Sequence, residues 1–234
     1  MVLKYRLPKR GKWSPAKVEY STLRDAQRAV QVIRDKSKKL VAADDAKIGI
    51  LGFSAGGHLA CMTATRWLKG DADAKDHVER LSSRPDFACL IYPVISFMAH
   101  GHGGSAGNLL GRGAGQDVRK RFSGEFNVTK ETPPIFMVHA NNDTGVKPAN
   151  SFIFYQTLRK AGISAELHIV SHGKHGFFDG RGWGVPGKQE LRFTRSGAMW
   201  PGWTLNWLIE EKLVTNIENW EWTKHRAAMK KLLD

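Results

Sequence analysis

The sequence predicts an α/β fold in which a mostly parallel sheet is flanked by helices. Short apolar runs at residues 87–92 and 135–139 are typical of parallel strands buried on both faces. Segments with helical periodicity separate such runs, and this alternation builds βαβ units with right-handed crossovers. The composition is that of an ordinary globular protein, and 234 residues fit a single domain over residues 1–234.

The first half of the chain supplies two helices and three β-favouring segments. Apolar residues spaced three, four and three apart from Leu23 to Ile33 predict a helix that runs to about residue 40. Ser21 or Thr22 is its predicted N-cap. The remaining elements are a β-favouring stretch at residues 2–5, a buried strand at 47–52, a helix at 55–68 and the strand at 87–92.

The second half continues the alternation after a glycine-rich stretch. Residues 100–115 contain many glycines and are predicted to form a loop. The strand at 135–139 follows, then a helix at 148–161 that ends at Gly162, and a strand at 165–170. We expect one more amphipathic helix through Trp203 and Trp207, and a docked helix in the C-terminal segment around Trp220.

Composition and charge exclude several functional classes. No apolar run approaches the roughly 18 to 20 residues of a bilayer span, so we expect no membrane partner. The net charge is +14, with twelve Lys and Arg against three acidic residues in residues 1–40. These charges are dispersed and match no nucleic-acid-binding motif, so we expect a solvated basic surface. Cys61 and Cys89 show neither disulfide nor zinc spacing and are predicted to be buried free thiols.

The turn between the strand at 47–52 and the helix at 55–68 contains the pattern G-x-S-x-G. Ser54 is its central residue, and a serine on such a strand-to-helix turn has a strained backbone and an exposed hydroxyl. We expect Gly52 and Gly56 to leave room for neighbouring elements. The Ala55 N–H, at the helix N-terminus, is the predicted oxyanion donor.

A serine nucleophile needs a histidine base and an acid that orients it. In α/β-hydrolases they follow in the order serine, acid, histidine, and here Asp143 and His175 each follow a predicted strand. Since the carboxyl ends of parallel strands share one edge, we expect Ser54, Asp143 and His175 to meet there. His172 is a competing base. His100 and His102 have no carboxylate at ligand spacing, so we expect neither a metal nor a cofactor.

The chain resembles the bacterial α/β-hydrolase esterases related to acetylxylan esterases, a group also described as feruloyl-esterase-like and akin to prolyl oligopeptidases. The segments that carry this resemblance include VLKYRL at residues 2–7, GFSAGGHLA at 52–60, RPDFACLIYPVI at 84–95 and TKETPPIFMVHA at 129–140. It implies the same three roles for Ser54, Asp143 and His175. It also implies hydrolysis of short acyl esters, with acetylated or aromatic-acylated plant polysaccharide as the substrate class of some members.

The chain departs from this family's pattern in two places. The loop after Asp143 carries an extra residue before Val146. The family's earlier strands and glycine-rich loop, which supply a second oxyanion donor, have no counterpart before residue 2. We therefore expect an N-terminally truncated α/β-hydrolase fold. No secretory leader is visible, so the cytoplasm is the default compartment, whereas a missing N-terminal segment would leave secretion or the periplasm open.

Three alternatives to the esterase interpretation stay open at the level of sequence. A serine peptidase uses the same three residue types, as does a dienelactone-type hydrolase apart from its cysteine nucleophile. A catalytically impaired fragment could act only as a binding protein. The acyl group, the alcohol and the oligomeric state are not encoded in any motif.

Overall fold

A computed structural model describes residues 1–7, 19–41, 46–98, 100–177 and 196–214 of the chain. Its centre is a four-stranded sheet in the order β1-β2-β3-β4, in which each strand is parallel to its neighbour. The strands are β1 (Gly49–Phe53), β2 (Phe87–Ile91), β3 (Ile135–Ala140) and β4 (Ala165–Val170). The predicted class, a parallel sheet flanked by helices, is confirmed.

Six α-helices lie along the described residues. They are α1 (Arg24–Val41), α2 (Ala55–Thr65), α3 (Gly103–Leu110), α4 (Gln116–Arg121), α5 (Ala149–Lys160) and α6 (Trp200–Glu210). Short 3₁₀ turns occur at His77–Arg80, Gly124–Phe126 and Gly197–Met199, and a π-helical turn at Glu19–Leu23 leads directly into α1.

Helices cover both faces of the sheet. On one face, the side chains of Ala88 and Leu90 in β2 pack against α2 and α5. On the other face, the intervening Cys89 and Ile91 pack with Trp207 of α6. This period-two alternation, with both sides apolar, explains why β2 and β3 read as uninterrupted apolar runs in the sequence. Both cysteines are buried and free, as predicted.

Two predictions about the N-terminal part are wrong. Residues 2–5 form no strand, since none of the four described strands lies beside them and Val2 is fully exposed. The segment is held instead by Arg6, whose guanidinium pairs with Asp25 at 2.6 Å. The helical conformation begins at Glu19, ahead of both predicted caps, and the Thr22 hydroxyl donates to the Arg6 carbonyl.

The predicted loop at residues 100–115 contains a helix, α3, which is a further correction. The His102 side chain accepts a hydrogen bond from the Ser105 N–H and caps this helix. Ala106 and Leu110 are buried in a cluster with Val94. Burial of this apolar face outweighs the poor helix propensity of the glycines, a contribution that a count of glycines cannot reveal.

The remaining predictions concern membrane-spanning helices and the helices of the second half of the chain. In the described part of the chain, no helix is long and apolar enough to cross a bilayer. The predicted helices at 148–161 and around Trp203 and Trp207 are confirmed as α5 and α6. The C-terminal helix around Trp220 lies outside the described residues.

Candidate active site

Ser54 occupies a strained turn between β1 and α2. Its backbone has φ 51° and ψ −117°, a combination that L-residues rarely adopt. Its N–H donates to the Ile91 carbonyl at 3.0 Å. Its own carbonyl accepts from the N–H groups of His58 and Val94, each at 3.1 Å. Backbone hydrogen bonds to the end of β2 and to the first turn of α2 therefore hold Ser54 in this unfavourable conformation.

Two glycines allow the turn to pack tightly, and one of them differs from the prediction. A Cβ atom on Gly52 would lie 2.2 Å from the Gly56 carbonyl oxygen, so only glycine fits there. A Cβ atom on Gly56 would meet nothing within 4 Å, so the expectation for Gly56 is wrong. The close approach is made at Gly57, where a Cβ atom would lie 2.8 Å from the side chain of Pro93.

Asp143 follows β3, and its side chain is completely buried. Its Oδ1 accepts the N–H groups of Gly145 at 2.9 Å and Val146 at 2.8 Å. Burial favours the neutral acid and raises the pKa of Asp143. Hydrogen bonds from His139, from His175 and from the Val146 N–H act in the opposite direction and hold the pKa well below its usual value. The group is therefore an ionised carboxylate, which only accepts hydrogen bonds.

His175 lies in a loop after β4 that is hydrogen bonded to the loop of Asp143, the predicted acid. Lys174 has φ 53° and Gly176 has φ 80°, so the loop turns sharply on both sides of the histidine. Asn142, next to the acid, accepts the N–H groups of Gly173 and Lys174 through its side-chain oxygen, each at 3.0 Å. The two loops are thereby held at a fixed distance from each other.

The structure brings the three predicted residues together in one line of hydrogen bonds. His175 Nδ1 lies 2.7 Å from Asp143 Oδ2, and His175 Nε2 lies 2.7 Å from Ser54 Oγ. Because the carboxylate only accepts, Nδ1 carries the ring hydrogen and Nε2 is left as an acceptor for the serine hydroxyl. This is the arrangement in which histidine can remove a proton from serine.

Aromatic rings support the His175 side chain. Tyr92, which follows β2 with φ 39°, meets the His175 ring edge to face at a centroid distance of 5.2 Å. Phe177 is fully buried and meets the same tyrosine ring at 4.8 Å. An apolar wall behind the histidine is therefore formed by these two side chains.

The other histidines take different positions. His172, the competing base, is exposed, and His102 caps α3. Among the described residues, no group of three or more His, Cys, Asp or Glu could hold a metal ion. Trp203 stacks on His168 with an interplanar angle of 9°, and Trp200 packs edge to face on Phe53. These two tryptophans thus pack against the protein itself.

Ala55 is the first residue of α2, at the positive end of the helix dipole. In the part of the chain that the structure describes, no acceptor is hydrogen bonded to its backbone N–H. Its side of the turn is exposed, next to the Ser54 hydroxyl. The site thus offers one backbone donor where negative charge would develop on an attacked carbonyl.

An apolar cavity of about 340 Å³ adjoins Ala55. His58 lines one side of the cavity. Its ring centroid lies 4.5 Å from that of Phe97, and its Nε2 donates a hydrogen bond to the Phe122 carbonyl. Burial lowers the pKa of His58 to about 4 and outweighs this hydrogen bond. The other lining residues with polar side-chain groups are Tyr5, Thr22, Ser105 and Asn108.

Sequence reasoning did not single out three residues that shape the site. They are His139 and Tyr92, which contact the acid and the base, and Asn142, which joins their loops. The sequence offers a signal for one of them. His139 is a histidine within the apolar run at 135–139, four residues before Asp143.

The strained turn at Ser54 after β1, with Asp143 after β3 and His175 after β4, defines a protein with the α/β-hydrolase fold. A carboxylesterase from Lactobacillus plantarum shares this fold with a TM-score of 0.67 over 83% of this chain and 69% of its own, at 22% identity. The chain belongs to the BD-FAE family, whose model matches residues 2–158. The matched segment contains Ser54 and Asp143 and ends before His175.

Relatives with higher identity confirm the family resemblance predicted from the sequence. The chain is 35% identical to an acetyl ester-xyloside bifunctional hydrolase from Caldicellulosiruptor lactoaceticus, with a TM-score of 0.76 over 91% of this chain and 71% of that one. It is 32% identical to an acetylxylan esterase from Xylanibacter ruminicola over 181 residues, which is 75% of this chain. It is 34% identical to endo-1,4-beta-xylanase B from Butyrivibrio fibrisolvens over 157 residues, which is 66% of this chain. The chain spans 34% and 24% of the length of the last two proteins, respectively.

Proposed function

We propose that the protein is a serine hydrolase that cleaves short-chain, acetyl-type carboxylic esters through an acyl-enzyme. The observation that carries this proposal is the line of hydrogen bonds from Ser54 through His175 to Asp143, with both distances at 2.7 Å. Serine by itself is a poor nucleophile near neutral pH, and this line supplies the base that it lacks. Ser54 is the nucleophile, His175 the base, and Asp143 the group that orients it.

In the first half-reaction, Ser54 Oγ attacks the carbonyl carbon of the ester while His175 Nε2 takes the hydroxyl proton. The carbonyl oxygen becomes an oxyanion, and the Ala55 N–H donates to it. The ester C–O bond then breaks, and His175 returns the proton to the departing alcohol. The product of this step is an acyl group on Ser54.

In the second half-reaction, His175 removes a proton from water, which attacks the acyl carbon. The bond to Ser54 Oγ breaks, and the proton returns to the serine oxygen. Asp143 stays ionised throughout, because the hydrogen bonds that lower its pKa favour the charged form. Its charge stabilises the imidazolium that forms twice in each cycle.

We propose acetylated xylan as the natural substrate class. Support comes from the names of the relatives, an acetylxylan esterase and a xylanase. The cavity beside Ala55 supports an apolar acyl group, because its lining is mainly hydrophobic. Its volume lies within the range of about 300–1,000 Å³ that small-molecule sites take, so we expect propionyl and butyryl esters to be accepted as well.

The test compares the purified wild type with Ser54→Ala on p-nitrophenyl acetate and on acetylated xylan, following released nitrophenol and acetate. We expect the variant to lose at least about 10⁴-fold in kcat. Ser164→Ala is the matched control, because that hydroxyl pairs with Glu211 ahead of β4, at the other end of the strand from the site. It should turn over like the wild type, with equal folding by circular dichroism.

The same samples distinguish the alternative functions. Cleavage of peptide p-nitroanilides in preference to the acetate ester would replace the proposal with a serine peptidase. Equal inactivity of wild type and Ser54→Ala, together with salt-dependent binding to an acidic polysaccharide or to DNA, would favour a binding protein.

A further inference from the structure

A second histidine, His139, lies beside the acid of the candidate triad. It belongs to β3, four residues before Asp143, and its side chain is completely buried. Its Nε2 atom is 3.3 Å from Asp143 Oδ2, the same oxygen that His175 Nδ1 contacts at 2.7 Å. One carboxylate oxygen therefore faces two imidazole rings.

The partners of His139 fix the position of the hydrogen on its neutral ring. Nε2 lies 2.9 Å from the Val146 carbonyl oxygen, which can only accept, so Nε2 carries the hydrogen. Nδ1 then accepts from the hydroxyl of Ser151, which is buried in α5, at 2.8 Å. The ring is held from both sides, and its N–H points into the acid loop beside Asp143.

The carboxylate needs support at both oxygens to face His175. The N–H groups of Gly145 and Val146 hold Oδ1. At Oδ2 the hydrogen bond to His175 is the one that the proposed reaction uses, yet 30% of the His175 side chain is exposed and the residue lies in a loop after β4. His139 belongs to the fully buried strand β3. Its N–H therefore places a fixed partial positive charge on the buried side of Oδ2.

We propose that His139, anchored by Ser151, is a positioning residue that holds Asp143 in the rotamer that presents Oδ2 to His175. This inference rests on the proposed ester hydrolysis, in which His175 must present Nε2 to Ser54. In the described part of the chain the hydrogen-bonding partners of the His139 ring are Asp143, Ser151 and Val146, not Ser54, so we expect it to act through the acid. Its removal should affect the chemical step and leave ester binding unchanged.

Two amide substitutions separate the role of the N–H from that of ring volume. The amide nitrogen of glutamine reaches about as far from the backbone as Nε2 of histidine, so His139→Gln keeps a donor beside Asp143 and the Val146 carbonyl. The amide of asparagine reaches only about as far as Nδ1. His139→Asn therefore keeps a partner for Ser151 and loses the donor at the acid.

We expect His139→Asn to lower kcat on p-nitrophenyl acetate about tenfold with KM unchanged, and His139→Gln to recover most of the loss. Ser151→Ala removes only the anchor and should give a smaller loss in kcat. Thr157→Val is its matched control, since that hydroxyl lies in the same helix and donates to the Ile153 carbonyl within it. We expect it to match the wild type, with thermal melts confirming that every variant is folded.

Proton NMR tests the same inference without turnover. The hydrogen between His175 Nδ1 and Asp143 Oδ2 gives a low-field resonance, which we expect to weaken or move in His139→Asn and to persist in His139→Gln. Equal kinetic losses in both variants with an unchanged resonance would show that His139 only fills space, and would overturn the proposal. If the wild type and Ser54→Ala are equally inert on esters, the proposed hydrolysis fails, while the resonance still decides the role of His139.

Discussion

Asp143 and His175, the proposed acid and the proposed base of the site, are held in contrasting ways. Asp143 follows the central strand β3, is fully buried, and receives two backbone N–H groups in addition to its imidazole neighbours. His175 follows the outer strand β4, and 30% of its side chain is exposed. The acid is therefore part of the folded core, whereas the base depends on the groups that it meets at the surface. Substitutions at the two positions should accordingly differ in what they damage.

The largest effects are expected from replacing each partner with alanine. Both His175→Ala and Asp143→Ala should lower kcat on p-nitrophenyl acetate by about 10⁴-fold. Only Asp143→Ala should also reduce the free energy of unfolding, by about 1–3 kcal/mol, because it leaves the buried N–H of Val146 without its acceptor. His175→Ala should change it by less than about 1 kcal/mol, since water can reach the partly exposed position.

Urea unfolding of the two variants beside the wild type measures this difference. Equal destabilisation by both would mean that the base is as much part of the core as the acid.

The stability that Asp143 contributes should also depend on pH. The pKa of Asp143 is lower in the folded state than its unfolded value of 3.8, so its ionised form stabilises the fold above that pH. This contribution is lost as the pH falls further, and the Asp143→Ala protein should lack that loss.

A third histidine, His58, extends the comparison to an imidazole that has no carboxylate partner among the described residues. Burial lowers its pKa from 6.5 to about 4, so the unfolded chain binds the proton more readily over this interval. The stability contributed by the neutral ring is fully present above about pH 6.5 and falls by about 3 kcal/mol on going down to pH 4. We expect urea unfolding of the wild type to show this decline.

His58→Gln supplies the control for that decline. Glutamine does not titrate, and its amide can still donate to the Phe122 carbonyl that His58 contacts at 2.8 Å. The free energy of unfolding should therefore depend less on pH in the variant than in the wild type between about pH 6.5 and pH 4. The same slope in both proteins would show that His58 becomes protonated within the fold and that the decline has another source.

The contrast between core and surface also explains what the sequence could predict. The G-x-S-x-G turn around Ser54 is a local pattern, and Asp143 and His175 each lie in a loop that follows a predicted strand. Each candidate could therefore be found from its immediate neighbours in the sequence. The hydrogen bond of His139 to Ser151 and the contact of Gly57 with Pro93 join residues that are distant along the chain. Their presence depends on how β3 meets α5 and how α2 meets the end of β2, which no local pattern contains.

The same reasoning accounts for the predictions that were wrong. Helix α3 forms among glycines because Ala106 and Leu110 are buried against other elements, and that burial is a tertiary effect. Residues 2–5 have the composition of a strand, yet a strand requires a partner strand and none of the described strands pairs with them. Composition alone therefore predicts the elements least well where a long-range contact decides the outcome.

The smallest expected effect concerns the point where the acid and base loops touch. A Cβ atom on Gly145 would lie 3.0 Å from His175 Cβ, 3.2 Å from its Cγ and 3.4 Å from Asp143 Oδ1. Because the His175 side chain is partly exposed whereas that of Asp143 is buried, we expect Gly145→Ala to displace the His175 ring by a few tenths of an ångström. This displacement should lower kcat about tenfold while the free energy of unfolding changes by less than about 1 kcal/mol.

Gly113→Ala is the matched control for this substitution, because a Cβ atom there would meet nothing within 4 Å and the residue lies outside the site. It should retain wild-type kcat. If Gly145→Ala lowers the free energy of unfolding by several kcal/mol and leaves kcat unchanged, the loop of Asp143 has moved and the His175 ring has stayed in place. Asp143 would then be held less firmly than His175, contrary to what the burial of Asp143 and the exposure of His175 predict.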